Sequence, residues 1–502
     1  MPNTPQTSTT QASAPMPSPH TPNTRLPNLN LLNTEEIWRL VDAHQDDFIA
    51  LSDRVWETPE LCYTEFRSCA EHTAMLLAKG FRVTQEVAGI PTAVMGEAGE
   101  DGPVIAILGE YDALPGLSQE AGVAEQKPLP GPGFGHGCGH NLLGSASMLA
   151  ATAVKDYLVA NNLKGRVRYY GCPAEEGGAA KGFMARAGVF SDVDIAISWH
   201  PSSFSGVNPA NSLANTRIDF SFHGRASHAA ASPHLGRSAL DAVELMSVGV
   251  NYMREHMPSD ARVHAAILDA GGVAPNVVQA FAKVRYLIRA TTLPELSRLI
   301  ERVRKIADGA ALMTETRVTS QVVSAVSNLL ANTPLERAMQ DNLDRIGPPP
   351  FDEADRAAAA EFQATLTDED IEAAYRRAGI PVKPNSPLCD TIIPADAKSS
   401  GGVGSTDVGD VSWVVPTVQA RGATYAVGTP GHSWQLTAQG KMPAAHKGLV
   451  HVAKVMAGTA LDAIRDETLL ARAKADHQAR VGKTPYVCPL PAELDPPIKM
   501  SA

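Results

Sequence analysis

The stretch "GHGCGHNLLG", residues 135–144, sets His136, Cys138 and His140 among glycines just ahead of an apolar run. Thiolate and imidazole suit zinc and similar divalent ions. In a locally extended segment, two residues two apart point to the same side, which would aim Cys138 and His140 together. Two ligands do not make a site, and a Gly-rich turn with a structural cysteine explains the segment equally well. Further candidates lie elsewhere. Glu175 and Glu176 are adjacent in "GCPAEEGG". On an extended backbone they point in opposite directions, so one can ligate a metal while the other faces substrate; a solvated acidic turn is the ordinary alternative. His200 closes an apolar stretch before Pro201, and His432 lies in the Gly/Pro-rich "GTPGHSW". Singly, each could be a hydrogen-bonded or loop histidine. Jointly, Cys138, His140, Glu176, His200 and His432 form a five-ligand set, with Asp112 and Glu175 as unclaimed carboxylates. Such a set suits two cations sharing a bridge, with positions open to water and substrate.

The elements that must gather these residues are partly readable. "PVIAILGEYDALP" (103–115), "RVRYYGCPAEEGG" (166–178) and "DVDIAISWHP" (192–201) each predict a buried strand ending in a polar cluster. Helical patterns lie between them, notably "NLLGSASMLAATAVKDYLVANN". Alternating strands and helices predict an α/β fold with a mainly parallel sheet covered on both faces. Ligands in such sheets bind beyond the carboxyl ends of the strands, which puts Asp112, Glu175, Glu176 and His200 on one rim. From about Leu213 the pattern changes to βαββαβ, the order of a ferredoxin-like α+β unit. The expected organisation is a disordered tail over 1–33, a first catalytic part over 34–214, an inserted unit over 215–326 and a second catalytic part over 327–502. Thr34 is the expected N-cap of the first helix. "GGVGSTDVGD" lacks the Lys-Ser/Thr ending of a phosphate loop; Asp407 and Asp410 there read either as residues that back the ligands or as plain loop residues.

The totals exclude several classes. Lys and Arg number 43 against 54 Asp and Glu, a net charge of −11 with no basic run, so neither nucleic acid nor an anionic membrane is an expected partner. No apolar run reaches the ~20 residues that span a bilayer. The N-terminal residues lack the apolar centre of a secretory signal. Six scattered cysteines in 502 residues argue against a disulfide framework and for a reducing, cytoplasmic compartment.

Seven segments carry a resemblance: "GEYDALPGLS", "GHGCGHNLLG", "GCPAEEGG", "SWHP", "HGRASHAAASPHLGRSALDA", "GGVAPNVVQ" and "VGTPGHSWQL". In type and order the chain resembles the aminoacylase/carboxypeptidase family of dinuclear metallohydrolases. The resemblance implies two divalent ions per subunit, zinc or manganese, held by Cys138, His140, Glu176, His200 and His432, with His136 no ligand. It implies Glu175 as general base and Asp112 as the carboxylate that orients the metal centre. In the inserted unit, expected to serve dimerisation and as a lid, His228 would reach a neighbouring subunit's site and steady the tetrahedral intermediate. Asn276 and Arg289 would bind substrate, the arginine fork suiting a carboxylate; a turn-capping Asn276 and a structurally paired Arg289 are the alternatives. Many relatives have Asp after C-G-H; Asn141 stands there, as in the p-aminobenzoyl-glutamate branch, which leaves zinc or manganese open. The implied activity is hydrolysis of a small-molecule amide, of p-aminobenzoyl-glutamate type or another N-acyl amino acid or dipeptide, by a homodimer or a heterodimer with a related chain. A β-alanyl-type dipeptidase and a partner chain active only in a hetero-oligomer are the competing expectations.

Overall fold

The computed structural model describes residues 31–400, 404–482 and 486–498, with backbone alone for 31–34. The tail expected over 1–33 therefore lies outside the described residues as far as residue 30. The described residues begin with α1 (Leu31–Glu57) and α2 (Phe66–Ala78), then β1 (Arg82–Gln85), β2 (Val94–Glu100) and β3 (Val104–Glu110). Helix α1 begins three residues before Thr34, so Thr34 is not its N-cap. There follow α3 (His140–Ala160), β4 (Gly165–Cys172), α4 (Ala180–Arg186), β5 (Ile195–Ser202) and β6 (Gly206–Val207). The next stretch holds β7 (Ala214–His223), α5 (Ala239–Met253), β8 (Arg262–Asp269), β9 (Phe281–Ala290), α6 (Leu293–Thr314) and β10 (Arg317–Val326). The last part comprises α7 (Thr333–Ile346), α8 (Glu353–Gln363), α9 (Asp368–Ala378), α10 (Val408–Val414), β11 (Thr417–Ala423), α11 (Trp434–Gln439), α12 (Pro443–Arg465) and α13 (Glu467–Val481).

The larger sheet has the order β1-β2-β4-β3-β5-β11-β6. Its centre is parallel, β4 beside β3, β3 beside β5 and β5 beside β11. The strands β1, β2 and β6 join it antiparallel. The parallel centre is apolar on both faces because helices cover both. On one side α1, α3 and α12 pack through Ile37, Phe48, Leu149, Leu449 and Met456. On the other, Phe183 of α4 and Val411 of α10 meet Leu108 and Tyr170. Strand order reverses at β3, which has β4 on one side and β5 on the other, so a crevice opens outside their carboxyl ends.

The smaller sheet is antiparallel throughout, in the order β10-β7-β9-β8. Helices α5 and α6 cover one face, packing Val243, Met246 and Val303 against Ile218, Phe220 and Val284. The opposite face, bearing Asn215, Arg217, Leu287 and Arg289, looks onto the crevice of the larger sheet.

Candidate metal centre

The glycines of "GHGCGH" are required by close packing. A Cβ on Gly135 would stand 2.0 Å from the Leu117 carbonyl oxygen, and Gly139 has φ 77°, a left-handed conformation open to glycine at no cost. Gly139 ends the loop, and His140 is the first residue of α3. Residues 137–138 form a turn, so the segment is not extended; the turn, not strand alternation, brings Cys138 and His140 together. Glu175 and Glu176 likewise lie in a turn after β4, not on extended backbone. Ala174 (φ 55°), Ala179 (φ 54°) and His432 (φ 55°) are left-handed without being glycine. Each costs on the order of 1–2 kcal/mol, and all three flank or carry candidate ligands, as strained backbone at working sites commonly does.

The loops converge on a cavity of about 430 Å³ whose lining includes Cys138, Glu175, Glu176, His200, His432 and Arg289. The donor atoms of Cys138, His140 and His200 lie within 4.8 Å of one another, as do those of Cys138, Glu176 and His432. A third trio joins Glu110, His140 and Glu175 within the same limit. His140 Nδ1 is 2.8 Å from Asp112 Oδ1, which fixes the ring and turns Nε2 toward the cluster. The Glu176 backbone N–H donates to Asp112 Oδ2 at 2.9 Å, tying that turn to the same carboxylate. His200 Nδ1 is 2.9 Å from the Pro201 carbonyl oxygen, leaving Nε2 to face Cys138 Sγ at 3.4 Å. His432 Nε2 stands 3.3 Å from Glu176 Oε2. A carboxylate or backbone carbonyl oxygen holding the far nitrogen of a histidine is the usual support of a metal ligand.

His140 Nε2, Glu176 Oε1 and Glu110 Oε2 are buried and make no well-directed hydrogen bond, with His140 Nε2 3.2 Å from Glu110 Oε2 and 4.0 Å from Glu176 Oε1. Three such atoms in one cluster fit a cation, since an unpaired buried acceptor is otherwise costly. The electrostatics are those of a cluster in which protons stand where a cation would: burial lowers His140, but the charges of Asp112, Cys138 and Glu110 outweigh it and raise His140 well above its ordinary value. Burial, then the charges of Glu110 and Glu176, pushes the Glu175 carboxyl well above the ordinary value. Burial also raises Glu176 and the Cys138 thiol. Burial alone would raise Asp112, but the charge and hydrogen bond of His140 outweigh it and hold that carboxyl below its ordinary value. Burial pulls His200 down to about 4, leaving the neutral imidazole that ligates metals. Positive charge at the centre would favour the ionised carboxylates and thiolate.

Other sequence-marked residues stand apart. His136 is buried with Nε2 3.1 Å from the Val55 carbonyl oxygen. His228 is exposed and outside the cavity, its Nδ1 accepting N–H bonds from Ala230 and Ala231 at 3.2 and 3.1 Å. Asn276 is also exposed and outside the cavity; its carbonyl oxygen accepts the Ala229 N–H. Asp407 lines the cavity, whereas Asp410 lies in helix α10, not in a loop, and accepts hydrogen bonds from Ser327 and Tyr486.

Sequence reading missed Glu110 and Lys181. The Lys181 ammonium is fully buried, 2.6 Å from Glu110 Oε1 and 2.6 Å from Asp407 Oδ1. Glu110, two residues before Asp112 at the polar end of an apolar strand, had a usable signal. Lys181, in the first turn of a short helix, had none, since helix lysines are ordinarily solvated.

Comparison with known proteins adds to this geometry. Residues 106–418 match the peptidase family M20/M25/M40. One of the subunits of p-aminobenzoyl-glutamate hydrolase from Escherichia coli (strain K12) is 45% identical over 481 residues, covering 93% of this chain and 100% of that protein. The Xaa-Arg dipeptidase of Mus musculus is 29% identical, covering 88% and 91%. A solved dinuclear metal-binding peptidase from Bacillus subtilis shares the fold with a TM-score of 0.54 at 18% identity, covering 84% and 99%.

Proposed function

This chain belongs to the peptidase family M20/M25/M40, and from that footing we propose a metal-dependent amidohydrolase that releases an amino acid from its acyl group. The preferred substrate class is p-aminobenzoyl-glutamate type, with other N-acyl amino acids as the broader set. One observation carries the reading: the donor atoms of Cys138, His140, Glu176, His200 and His432 crowd one cavity beside Glu175. These five residues would hold two divalent ions, zinc or manganese. Bound there, such ions supply Lewis acidity, polarising the scissile carbonyl and making a water acidic near neutral pH. Glu175 is then the base that takes the water proton and returns it to the leaving amine. Asp112 keeps His140 in the tautomer that presents Nε2. Arg289, on the facing sheet, receives the substrate carboxylate.

His228 and Asn276 are assigned to a neighbouring subunit's cavity, which their exposure outside this chain's own cavity supports. The division into catalytic parts at 34–214 and 327–502 and a dimerisation unit at 215–326 follows from that role. Strand β8 ends the smaller sheet, exposed along nearly its whole length with Ile267 and Leu268 uncovered, and an apolar edge of this kind suits pairing with a second chain. That chain is a second copy or a related one; the name of the Escherichia coli relative, which makes it one subunit of its hydrolase, supports the latter. All six cysteines are unpaired, in keeping with a cytoplasmic location, and among the described residues no helix is long and apolar enough to cross a membrane.

The test loads the purified chain with zinc or manganese, counts bound metal by elemental analysis and assays p-aminobenzoyl-glutamate, neutral N-acyl amino acids and a β-alanyl dipeptide. Close to two ions per chain and release of p-aminobenzoate are expected. Cleavage of the β-alanyl dipeptide alone would replace the substrate class. Activity only after adding a related chain would make this one half of a heteromeric enzyme.

A further inference from the structure

The face of the smaller sheet above the metal centre carries more positive charge than the proposed reaction needs. Asp219 on β7 neutralises Arg285 on β9, Nε at 2.6 Å and Nη2 at 3.0 Å from its two oxygens. Arg217 and Arg289, on the same face, have no such acid. Both line the cavity, neither forms an ion pair or side-chain hydrogen bond with the described residues, and Arg289 Nε is buried without a partner. Arg217 pairs across with Leu287 while Arg289 pairs with Asn215, so the two arginines are diagonal neighbours, ~7–8 Å apart along the sheet. The Arg217 guanidinium packs onto the glutamate turn: Nη1 lies 3.4 Å from where a Cβ on Gly177 would stand. Burial disfavours the charged form of both arginines; at Arg217 the like charges of Arg285 and Arg289 add to it, and the charge of Asp219, already paired with Arg285, offsets it only in part. Two half-buried guanidiniums left without anions are unfavourable in a chain alone and favourable once anions enter.

One carboxylate, that of the released amino acid, answers one guanidinium. We propose that Arg217 is a specificity residue that binds a second carboxylate, so that the cavity selects substrates whose amino-acid half is a dicarboxylate. This rests on reading the cavity as that of an amidohydrolase. It also sets this chain against a dipeptide ending in a basic residue, whose side chain would meet two unpaired cations.

Calorimetric titration of the metal-loaded chain with glutarate and with its monoamide, glutaramate, tests the proposal independently of turnover. Either ligand can offer one carboxylate to Arg289, so the difference between them reports the second. The wild-type chain should bind glutarate about 10- to 100-fold more tightly, the range of a charge-assisted contact. Arg217→Met should erase that margin, and Arg217→Lys should restore part of it, having the charge without the fork. In turnover, Arg217→Met should lower the kcat/KM ratio of p-aminobenzoyl-glutamate over p-aminobenzoyl-glutamine by a similar factor, through KM rather than kcat. Equal wild-type affinity for the two ligands, or an equal loss on both in Arg217→Met and Arg217→Gln alike, would overturn the assignment. Preserved glutarate selectivity without hydrolysis of any amide would instead sink the amidohydrolase reading and leave the dicarboxylate site standing.

Discussion

Glu175 and Glu176 share one turn, yet their surroundings give them different work. Glu176 is tied at its N–H to Asp112, faces His432 through Oε2 and points an unpaired Oε1 toward His140 Nε2 at 4.0 Å. That place suits the ligand role proposed for it. Glu175 shares a trio with Glu110 and His140, and burial raises its carboxyl well above the ordinary value. A base with a raised pKa accepts a proton readily and can hand it on. Glu175→Gln should therefore keep its metal and lower kcat by ~10²–10⁴-fold, the usual contribution of a general base. Glu176→Gln should lose metal, read by elemental analysis of the dialysed protein. The reverse pattern would exchange the two roles. At this scale the sequence marked residues whose type can ligate a metal, such as Cys138 and His432, whose donor atoms the fold brings within 4.8 Å of each other. It was silent on Lys181, whose meaning comes wholly from the buried carboxylates of Glu110 and Asp407 on either side of its ammonium.

Elements bring these residues together, and here the sequence was legible in proportion to how apolar each element is. The three stretches read as buried strands each contain one, β3, β4 and β5, but the first two run five and six residues past the strand end into the turns that carry the polar clusters. Unbroken burial from Val104 to Glu110 explains why β3 has that signature. The ligand turns were less legible: their left-handed backbone at Ala174, Ala179 and His432 is imposed by tertiary contacts that no local propensity reports. The same burial has a consequence for acid stability. His72 of α2 is enclosed between Tyr111 and Tyr169, with Nδ1 2.7 Å from the Tyr169 hydroxyl, and burial pulls it from 6.5 to about 3. His451 of α12 holds the Gly347 carbonyl oxygen through Nε2 at 2.7 Å, and burial takes it from 6.5 to about 4. Both are neutral when folded and protonate near 6.5 when unfolded. Their contribution is thus complete above pH 6.5 and is lost as pH falls toward 4, at about 1.4 kcal/mol per pH unit for each. His72→Gln and His451→Gln should each flatten the pH dependence of unfolding free energy between pH 6 and 4.5 by about that slope, measured by urea unfolding beside wild type. An unchanged slope in either variant would mean that its imidazole already charges in the folded chain.

At the scale of the whole molecule, alternating strands and helices followed by a βαββαβ run predicted two unlike sheets, and two unlike sheets are present. The antiparallel β1, β2 and β6 of the larger sheet were not legible, because β1 and β6 are very short edge strands and the seven residues of β2, Val94–Glu100, carry Gly and Glu in place of an apolar run. Assembly is harder still to read, since it depends on surfaces whose partner is another chain. His228 poses that question most sharply. It lies outside its own chain's cavity, held by two backbone N–H groups that fix its ring at Nδ1 and leave Nε2 as the other ring nitrogen. A histidine that only closes this turn would tolerate replacement in kinetics. One that reaches a neighbouring subunit would not. If it meets substrate across an interface, His228→Ala should keep fold and metal and lower kcat far more than it raises KM, as expected for a contact made chiefly in the transition state. Mixing His228→Ala with Glu175→Gln then separates a role within the chain from one between chains. In a mixed homodimer, one cavity combines an intact Glu175 with the partner's intact His228, while the other lacks both. Random exchange would make half of the dimers mixed, each with one working site, so activity should return to about a quarter of wild type. Exchange verified by mass, with both inputs inactive and no activity regained, would remove His228 from a second copy's site.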